Sequence, residues 1–500
     1  MVFDSRLQTP DSRLNSRRVV IVGGGISGLA AAHRLIEHNK RAAQPFEVLL
    51  FEAGARLGGT IHTQRRDGFL LEGGSDSFIS EKPEGVELAK RVGLGDSLIE
   101  TNSQHRRSFV VRNGRLRATP EGFQLLAPSR LWPFVTSDIF SWPGKARIAL
   151  DLFLPRRANA NGSDDESLAE FVRRRLGQEA LERMAQPMVG GIYTADPERL
   201  SLRATMPRFL EMERASRSLI LAMWRAGRKQ SAEVARGTSG ARYSLFLSFK
   251  EGMQTLTDRL AALMPDGTVR LQTKVESLSF DAAAKLWQVH VSGQETVNAD
   301  AVCLALPAYR AARLLRAVDA PLAAELDAIE YASTATVNLA YRRADIPHPL
   351  NGFGFVVPFI ERRTTLACTF SSVKFAGRAP ESHVLLRAFV GGALQPETFA
   401  LDEEAMTRAV CGDLRDLLGI EHAPLFAHVE KWPKSMAQYH LGHVERVERI
   451  RQRLLDFPTL QLAGNSYSGA GIPDCIRSGE AAAESMLNNQ SPESSRRTLN

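Results

Sequence analysis

The chain has 500 residues, too many for one hydrophobic core, so two or three domains are expected. Apolar residues make up 44% and charged residues 24%, as in globular proteins, and no run of 18 apolar residues predicts a membrane-spanning helix. The net charge of +7 is spread along the chain without a nucleic-acid-binding motif, so it favours an acidic ligand or an anionic membrane surface over nucleic acid.

The cysteines and histidines give no metal-binding spacing. The cysteines are interpreted as reduced thiols of a cytoplasmic protein, and the histidines of QYHLGH as structural residues. Residues 1–16 lack the apolar core of a secretory signal, and both 1–16 and 489–500 are predicted to be flexible tails. The residues concerned are Cys303, Cys368, Cys411, Cys475, His440 and His443.

The first elements in chain order predict a β-α-β unit with parallel strands. An apolar strand is expected at 17–22, a helix at 27–38 and a second apolar strand at 46–51. The helix is predicted because its apolar residues recur at helical spacing, whereas the two strands are short continuous apolar runs.

Gly23, Gly25 and Gly28 form the pattern G-x-G-x-x-G between the first strand and the helix. The first glycine allows a tight turn, the second lets the backbone approach a pyrophosphate, and the third lets helix and strand pack closely. The free amides at the start of the helix attract the phosphates. Glu52 ends the second strand, where a carboxylate can bind both ribose hydroxyls, and the sequence Glu-Ala-Gly favours the unphosphorylated ribose of FAD or NAD.

Two further segments favour FAD over NAD. The segment EAGARLGG resembles the second phosphate-contacting loop of amine-oxidase and phytoene-desaturase flavoproteins, in which Arg56 would pair with the pyrophosphate. The C-terminal segment LAGNSYSGAGIPDCIRSG is rich in glycine, and Pro473 suits the first turn of a helix predicted over 474–487. The positive end of that helix would stabilise the negative charge of a reduced flavin.

The remaining chain divides into helical and strand-rich parts. Helical spacing dominates from about 120 to 235, short strands follow at 265–310 and 335–392, and a helix is predicted at 402–419. We predict an α/β plus α+β fold, with a discontinuous Rossmann-like FAD-binding domain, an inserted helical domain and a mixed-sheet substrate domain. The predicted boundaries are 17–105, 240–310 and 430–488 for the first, 115–235 for the second, and 106–114 and 311–429 for the third.

Residues 214–229, RASRSLILAMWRAGRK, place four apolar side chains between basic ones. They form either a helix that lies on an anionic membrane or a solvated helix with one stripe facing the core. The apolar residues are Leu219, Ile220, Met223 and Trp224.

Five segments together resemble the protoporphyrinogen oxidase family, in its bacterial oxygen-dependent branch that includes the coproporphyrinogen III oxidases. The resemblance runs over residues 17–488 and implies non-covalent FAD and the oxidation of a porphyrinogen in heme biosynthesis. Hydride would pass to the flavin in three rounds, and O2 would reoxidise the flavin to give hydrogen peroxide. The segments are VVIVGGGISGLAAAHRL, FEAGARLGGTIHT, GFLLEGGSDSF, MVGGIYTADPERLSL and LAGNSYSGAGIPDCIRSG.

By position, the resemblance implies contacts to both halves of FAD. The glycine turn, the end of the second strand and the loop after it would hold the ADP half, with the backbone of Val275 at the adenine. Residues from three distant parts of the chain would surround the flavin ring. The implied cofactor residues are Gly23, Gly24, Gly25, Ile26, Ser27, Gly28, Glu52, Ala53, Arg56, Gly59, Gly73, Gly74, Ser75, Asp76, Val275, Trp432, Ala470, Gly471 and Ile472.

The resemblance also implies a substrate site. Apolar residues of three predicted strands match positions that sandwich the tetrapyrrole, and Gly191 matches a backbone position next to the reacting carbon. The family often has a propionate-binding arginine where this chain has Ser108, with Arg106 and Arg107 beside it. No acid–base residue is predicted, because the flavin carries out the redox step. The implied substrate residues are Gly191, Phe353, Val356, Leu366, Phe389 and Arg107.

The implied partners are a porphyrinogen and O2, with peripheral contact to the inner face of the cell membrane and contact with the next heme-pathway enzyme. The sequence does not separate protoporphyrinogen from coproporphyrinogen. Alternatives are another flavoenzyme of the same fold (an amine oxidase or a carotenoid desaturase), a non-catalytic binding protein of the Rab-escort type, and an NAD-dependent enzyme. The two glycine-rich segments argue against the last two, and the presence of Tyr467 without a second aromatic argues against an amine oxidase.

Overall fold

The computed structural model describes residues 17–42, 44–120, 123–124, 127–128, 131–157, 165–225 and 245–488. The predicted tails lie outside the described residues. Within these residues, a sheet of five strands and a sheet of seven strands organise the molecule, and four smaller sheets of two or three strands accompany them.

The five-stranded sheet is parallel and carries both glycine-rich segments at the ends of its strands. Its strands come from three distant parts of the chain, 18–51, 269–304 and 460–462, which confirms the predicted discontinuous Rossmann-like architecture. Helices cover the sheet, so its three interior strands are buried apolar runs. The strand order is Val269–Arg270, Glu47–Phe51, Arg18–Val22, Ala301–Leu304 and Leu460–Leu462.

The first and last helices of this domain, Ile26–Asn39 and Ile472–Asn488, pack directly on each other. A Cβ at Gly479 would lie 2.1 Å from the carbonyl oxygen of Ser27, so the contact needs glycine. The other helices of this part are Glu84–Arg91, Gln254–Ala262, Ala308–Leu315, Ala320–Asp327 and His443–Leu454. The smaller sheets contain Thr63–Arg66, Phe69–Glu72, Phe78–Ile79, Leu98–Glu100, Phe123–Gln124, Ala127–Pro128, Phe246–Phe249, Val275–Asp281, Leu286–Val291 and Val297–Ala299.

The seven-stranded mixed sheet buries one face under the helix Glu403–Leu418. Asp402 caps the start of that helix, because its carboxylate accepts the amide of Ala405 at 2.7 Å. Gly419, with φ +73°, caps its end. The opposite face of the sheet turns toward the cofactor segments. The strand order is Phe426–Ala437, Tyr331–Arg342, His383–Gly391, Ala367–Phe370, Gly354–Val356, Phe109–Arg112 and Arg115–Ala118. Short helices Pro396–Ala400 and Ser371–Lys374 flank it.

Two predicted domain boundaries cut through this sheet. The strand Phe426–Ala437 runs on past residue 430, and Arg115–Ala118 pairs with Phe109–Arg112 although 115 was placed in the helical domain. Pro433 does not interrupt the long strand, because it lies on an edge strand at a register shift between Trp432 and Met436, where no regular ladder pair is required.

The helical part is held by a buried ion pair. Arg175 and Asp151 are fully buried, and Nε of Arg175 donates to Oδ1 of Asp151 at 2.7 Å. Asp151 also accepts the hydroxyl of Ser218 at 2.6 Å, so the pair is hydrogen-bonded on both sides. The helices here are Leu131–Thr136, Trp142–Ala149, Leu168–Arg175, Gln178–Ala180, the π-turn Leu181–Ala185, Gln186–Tyr193, Leu202–Thr205 and Pro207–Ser216, and another begins at Leu219.

The segment 214–229 is not a membrane-facing helix over its described part. Arg217 has φ +64°, which ends one helix before the next begins. Leu219, Ile220 and Met223 are buried in the core, and only Trp224 is partly exposed. The core-facing interpretation is therefore confirmed for these residues, while 226–229 lie outside the described residues. Across the part of the chain that the structure describes, no helix combines the length and apolarity needed to span a bilayer.

The contact between the first and last helices predicts the effect of two Gly→Ala substitutions. Gly479→Ala should destabilise the protein by roughly 1–3 kcal/mol, because the new methyl meets backbone. Gly412→Ala, in Glu403–Leu418 with no atom within 4 Å of the new Cβ, should stabilise it by roughly 0.5–1 kcal/mol. Urea unfolding measures both changes, and equal stabilities for the two variants would contradict the close helix contact.

Candidate functional site

The glycine turn has the geometry that its pattern predicts. Gly23 has φ +108° and donates its amide to the carbonyl of Phe51 at 2.8 Å. A Cβ at Gly28 would lie 1.9 Å from the carbonyl oxygen of Gly23, so only glycine lets the helix start here. Gly25 faces open space and caps the helix without a side chain, which leaves its first amides, from Ile26 and Ser27 onward, for an anion.

The carboxylate of Glu52 is fixed between the turn and the following loop. It accepts the amide of Gly24 at 2.8 Å on one oxygen and the amide of Gly54 at 2.7 Å on the other. Ala53 is the residue between Glu52 and Gly54 in this turn. Thr273 donates its amide to the carbonyl of Glu52 at 2.8 Å, which brings Val275 close to the same strand end. The acidic residue and the expected adenine position thus lie side by side.

The loop after Glu52 closes over the glycine turn. Gly58 donates its amide to the carbonyl of Gly24 at 2.9 Å, and Arg56 donates to the carbonyls of Gly59 at 2.8 Å and Ile61 at 3.0 Å. The guanidinium of Arg56 also lies 5.9 Å from the ring centre of Trp432. Arg56 and Trp432, which are far apart in the chain, therefore border the same space.

The backbone of Glu72–Gly74 is wedged between the loop and the seven-stranded sheet. A Cβ at Gly74 would lie 1.6 Å from the carbonyl oxygen of Thr60. On the other side, three successive carbonyls accept hydrogen bonds from side chains on one sheet face. The donors are Asn338 to Glu72 at 3.2 Å, Thr336 and Trp432 to Gly73 at 2.7 and 2.8 Å, and Arg387 to Gly74.

Asp76, which follows Ser75, pairs with two cations that sequence reasoning missed. Nζ of Lys374 lies 3.0 Å from one carboxylate oxygen, and Nη1 of Arg387 lies 3.6 Å from the same oxygen. Burial alone would raise the pKa of Asp76, but Lys374 and Arg387 hold it well below its usual range. The available signal was a charged residue inside the apolar run HVLLRAFV, which is costly unless it has a function.

Glu72 is a second buried carboxyl that the sequence did not reveal. It accepts the hydroxyl of Thr63 and the amide of Met253, both at 2.8 Å. Burial raises the pKa of Glu72 to about 7, although these hydrogen bonds and the charges of Arg378 and Arg387 oppose the shift. Its side chain is therefore partly protonated at neutral pH.

The C-terminal glycine-rich segment leads into a helix that begins at Ile472, two residues earlier than predicted. Gly469 has φ +127°, and a Cβ there would lie 2.4 Å from the carboxyl carbon of Asp474. Pro473 lies in the first turn, as expected, and Ala470 and Gly471 immediately precede the helix. The free N-terminal amides thus point toward the space before this segment.

The two histidines of QYHLGH have protein partners. The ring of His443 stacks on Tyr439 at 4.1 Å, and its Nε2 lies 3.3 Å from the carbonyl oxygen of Tyr467. Burial lowers the pKa of His443 to about 4, so it is neutral at physiological pH. His440 lies 3.5 Å from the carboxylate of Glu330. Within the described ranges, no three His, Cys, Asp or Glu residues are placed to bind a metal.

Strand register brings part of the predicted substrate set together. Phe389 pairs with Ala367, which pairs with Val356, and directly paired residues share a face of the sheet. Leu366 donates its amide to the carbonyl of Phe389 at 2.8 Å. The alternate residues of these strands lie in the core on the other face.

The helix Gln186–Tyr193 reaches the same edge. Gly191 is exposed, with open space where a Cβ would be, and Thr194 after the helix accepts the amide of Ala393 at 2.8 Å. Phe353 lies outside the regular strand and donates its amide to the carbonyl of Arg107 at 2.7 Å. The register therefore groups Val356 and Phe389, but not Leu366, which lies opposite Val357 of the other face, nor Phe353 and the exposed Arg107.

The parallel sheet, the glycine turn and the fixed acidic residue define a Rossmann-type dinucleotide-binding protein. A family model described as flavin containing amine oxidoreductase matches residues 26–487. The chain belongs to the flavin containing amine oxidoreductase family, which confirms FAD over NAD. The open space at Gly25 and the free helix amides fit this cofactor, which when bound accepts hydride.

Individual relatives agree with the predicted resemblance. A coproporphyrinogen III oxidase of Bacillus subtilis (strain 168) is 34% identical over 472 residues, which cover 94% of this chain and 98% of the relative. Protoporphyrinogen oxidase 2 of Arabidopsis thaliana, chloroplastic/mitochondrial, is 29% identical over 496 residues, with coverages of 95% and 94%. A crystal structure from Exiguobacterium sp. 255-15, provisionally described as a protoporphyrinogen oxidase, superposes with a TM-score of 0.82 at 30% identity, covering 95% and 100%.

Filling the space at Gly25 should block FAD without unfolding the protein. Gly25→Val should raise the Kd for FAD about tenfold or more, equivalent to about 1.4 kcal/mol, because the side chain would occupy the predicted pyrophosphate position. The apoprotein should keep its stability to within about 1 kcal/mol, since Gly25 has φ −72° and no atom within 4 Å of a Cβ. Flavin fluorescence titration measures the affinity. Gly412→Val serves as the control, and equal FAD affinity in both variants would contradict the placement.

The buried Glu72 predicts a pH-dependent stability. Its pKa is raised in the folded state, so its contribution is fully present below about pH 4.5 and is lost as the pH rises through about 7. The loss should approach about 1.4 kcal/mol per pH unit in that window. Relative to the wild type, Glu72→Gln should therefore become more stable between pH 5 and 8, as followed by urea unfolding of the FAD-loaded proteins. The exposed Glu404→Gln should show a flat difference, and a flat difference for Glu72→Gln as well would refute this account.

Proposed function

We propose that the chain oxidises a porphyrinogen to the porphyrin in heme biosynthesis, with FAD as cofactor and O2 as the final acceptor. The observation that carries the proposal is the shared sheet face: the face that binds the backbone of Gly73 and Gly74 also presents Val356 and Phe389. A large apolar macrocycle needs such aliphatic and aromatic walls next to the flavin. The relatives named as porphyrinogen oxidases support the same reaction.

We infer the following arrangement of FAD. The turn Gly23–Gly28 would hold the ADP half, with Glu52 binding the ribose and Arg56 the pyrophosphate. Gly73–Asp76, Trp432 and the segment Ala470–Ile472 would hold the isoalloxazine. The chain's own residues bind and orient the two reactants and exclude water, while the flavin supplies the hydride acceptor.

Coproporphyrinogen III is the substrate that we favour. It carries two propionates where protoporphyrinogen IX has vinyl groups, so it demands more cations at the rim. Arg106 and Arg107 are both exposed beside Phe353. The coproporphyrinogen III oxidase of Bacillus subtilis also has the higher identity of the two relatives, 34% against 29%.

Turnover of the two porphyrinogens side by side tests this assignment. The wild type should oxidise coproporphyrinogen III with the higher kcat/KM, read by porphyrin fluorescence in air, and it should leave a polyamine unreacted. The double variant Arg106→Ala, Arg107→Ala should raise KM for coproporphyrinogen about tenfold through loss of charge-assisted contacts, with a smaller effect on protoporphyrinogen.

Arg408→Ala is the matched control, because Arg408 is an exposed arginine on the helix that covers the opposite sheet face. An equal rise of KM for both porphyrinogens in the double variant would remove the arginines from the substrate discrimination. Oxidation of the polyamine in place of the porphyrinogens would reject the proposed reaction itself.

We further propose that the protein contacts an anionic membrane surface through the helical part, between residues 132 and 153. Trp132, Trp142 and Phe153 are 76%, 71% and 72% exposed, which is unusual for such large apolar side chains. Trp142 and Phe153 are eleven residues apart in a continuous helical stretch, so they lie on one side of it. Lys145 lies 4.4 Å from the ring centre of Trp142 and donates to the carbonyl of Val135 at 2.7 Å, so this buried cation fixes the exposed tryptophan from below. Contact with the next heme-pathway enzyme stays a prediction.

Vesicle co-sedimentation tests the membrane proposal. The double variant Trp142→Ala, Phe153→Ala should bind anionic vesicles about tenfold more weakly than the wild type, because each large side chain buries apolar surface in the bilayer interface. Leu455→Ala is the control, since Leu455 is 70% exposed at the end of another helix. Wild-type binding of the double variant would rule this surface out.

A further inference from the structure

Arg387 is a buried cation in the face of the seven-stranded sheet that points toward the proposed flavin. It is 3% exposed and lies at the centre of the strand His383–Gly391. Its guanidinium lies 4.7 Å from the ring centre of Phe389, two residues further along the same face. A charged side chain in such a position is costly unless other groups compensate it.

The compensation within the protein is incomplete. Nη2 of Arg387 donates to the carbonyl of Gly74, whereas Nη1 is 3.6 Å from the Asp76 carboxylate, too far for a hydrogen bond. Nε and Nη1 have no hydrogen-bond partner among the described residues. The Asp76 carboxylate is in addition shared with Lys374, whose Nζ lies 3.0 and 3.2 Å from its two oxygens. Two cations therefore share one carboxylate.

The surrounding charges do not restore the balance. Arg378 is also buried, although its donors are satisfied by Ser248, Phe249 and Lys250. Glu72 has a pKa raised by burial to about 7, so it offsets only part of this charge at neutral pH. Glu430 also lies against Gly73, but its carboxylate is 3.3 Å from His62 and 3.2 Å from His428. Among the described residues, Arg387 is therefore hydrogen-bonded to no carboxylate, and its positive charge behind the segment Gly73–Asp76 is compensated only in part.

The incompletely compensated charge of Arg387 lies where a flavin would gain negative charge. One end of the segment Gly73–Asp76 touches Trp432, which lies 5.9 Å from Arg56 at the proposed pyrophosphate position. At the other end, Asp76 lies 3.6 Å from Arg387, which also bonds Gly74 and packs on Phe389 of the proposed substrate wall. Hydride transfer delivers two electrons and one proton to the ring, so the acceptor gains one negative charge between these two ends.

We propose that Arg387 is a positioning residue for the reduced cofactor: held by Gly74 and Asp76 and packed on Phe389, its guanidinium directs a buried positive charge at the isoalloxazine and raises the reduction potential of the bound FAD. The inference rests on the proposed placement of the flavin along Gly73–Asp76. It explains why a buried arginine keeps free donors in a sheet that could hold an apolar residue instead.

The test is the midpoint potential of FAD in the holoenzyme, measured by anaerobic titration against a redox dye. Arg387→Met keeps most of the volume and removes the charge. It should weaken binding of reduced relative to oxidised FAD about tenfold, equivalent to a fall of ~30 mV for a two-electron couple. Arg387→Lys keeps the charge and should stay close to the wild-type potential.

Two further variants fix the sign and the origin of the effect. Asp76→Asn removes the carboxylate that offsets the cations, so it should raise the potential. Arg363→Met is the matched control, because Arg363 pairs with Asp413 and Asp416 of the helix on the opposite face of the sheet. It should leave the potential unchanged.

Two outcomes would overturn the proposal. The first is an Arg387→Met potential equal to that of Arg363→Met. The second is an equal fall of the potential in Arg387→Met and Arg387→Lys, which would point to packing on Phe389 instead of charge. Should Arg387→Met not fold, Asp76→Asn decides the question: a rise in its potential, with Arg387→Lys close to the wild type, supports the proposal, and an unchanged potential overturns it. A wild-type protein that binds no FAD would instead reject the cofactor assignment.

Discussion

The arrangement of the molecule depends on hydrogen bonds that join side chains of the seven-stranded sheet to the backbone of Glu72–Gly74. Three successive carbonyls, from Glu72 to Gly74, accept donors from side chains on three different strands of the seven-stranded sheet. Buried carbonyls need partners, and losing one such bond costs about 1 kcal/mol or more. Because the donors share a rigid sheet, the backbone segment and the apolar wall beside it are held in one fixed geometry.

This geometry joins two kinds of residue that have different tasks. The glycine-rich turns bind through their backbone and need only space and free amides. The sheet face binds through side chains, and it places polar donors such as Thr336 next to apolar residues such as Phe389. A protein that oxidises a large macrocycle needs both kinds, because the cofactor must be held without blocking the flat apolar substrate.

The sequence predicted the local elements well. The glycine turn, the acidic strand end and the C-terminal helix follow from residue types whose conformations are restricted, so Gly23, Gly28 and Pro473 lie as expected. The helix predicted over 402–419 is observed as Glu403–Leu418. The two ends were predicted to within one residue because Asp402 and Gly419 are strong capping residues.

Long-range features were out of reach. Lys374 and Arg387 are 298 and 311 positions from Asp76 in sequence, so only the folded sheet brings them together. The predicted boundaries at 115 and 430 fall within strands of the seven-stranded sheet, whose strands come from both sides of the helical part. Leu219, Ile220 and Met223 have a pattern that suits a lipid surface and a protein core equally, and tertiary packing decided between them.

The position of the last strand and helix has a consequence for biosynthesis. Leu460–Leu462 completes the five-stranded sheet, and Ile472–Asn488 packs against the first helix of the same domain. The N-terminal strands therefore emerge from the ribosome long before their partners exist, and this domain cannot close until nearly the whole chain has been translated. During that interval the early apolar strands are exposed to aggregation, so chaperone contact and the timing of cofactor uptake bear on the yield of native protein.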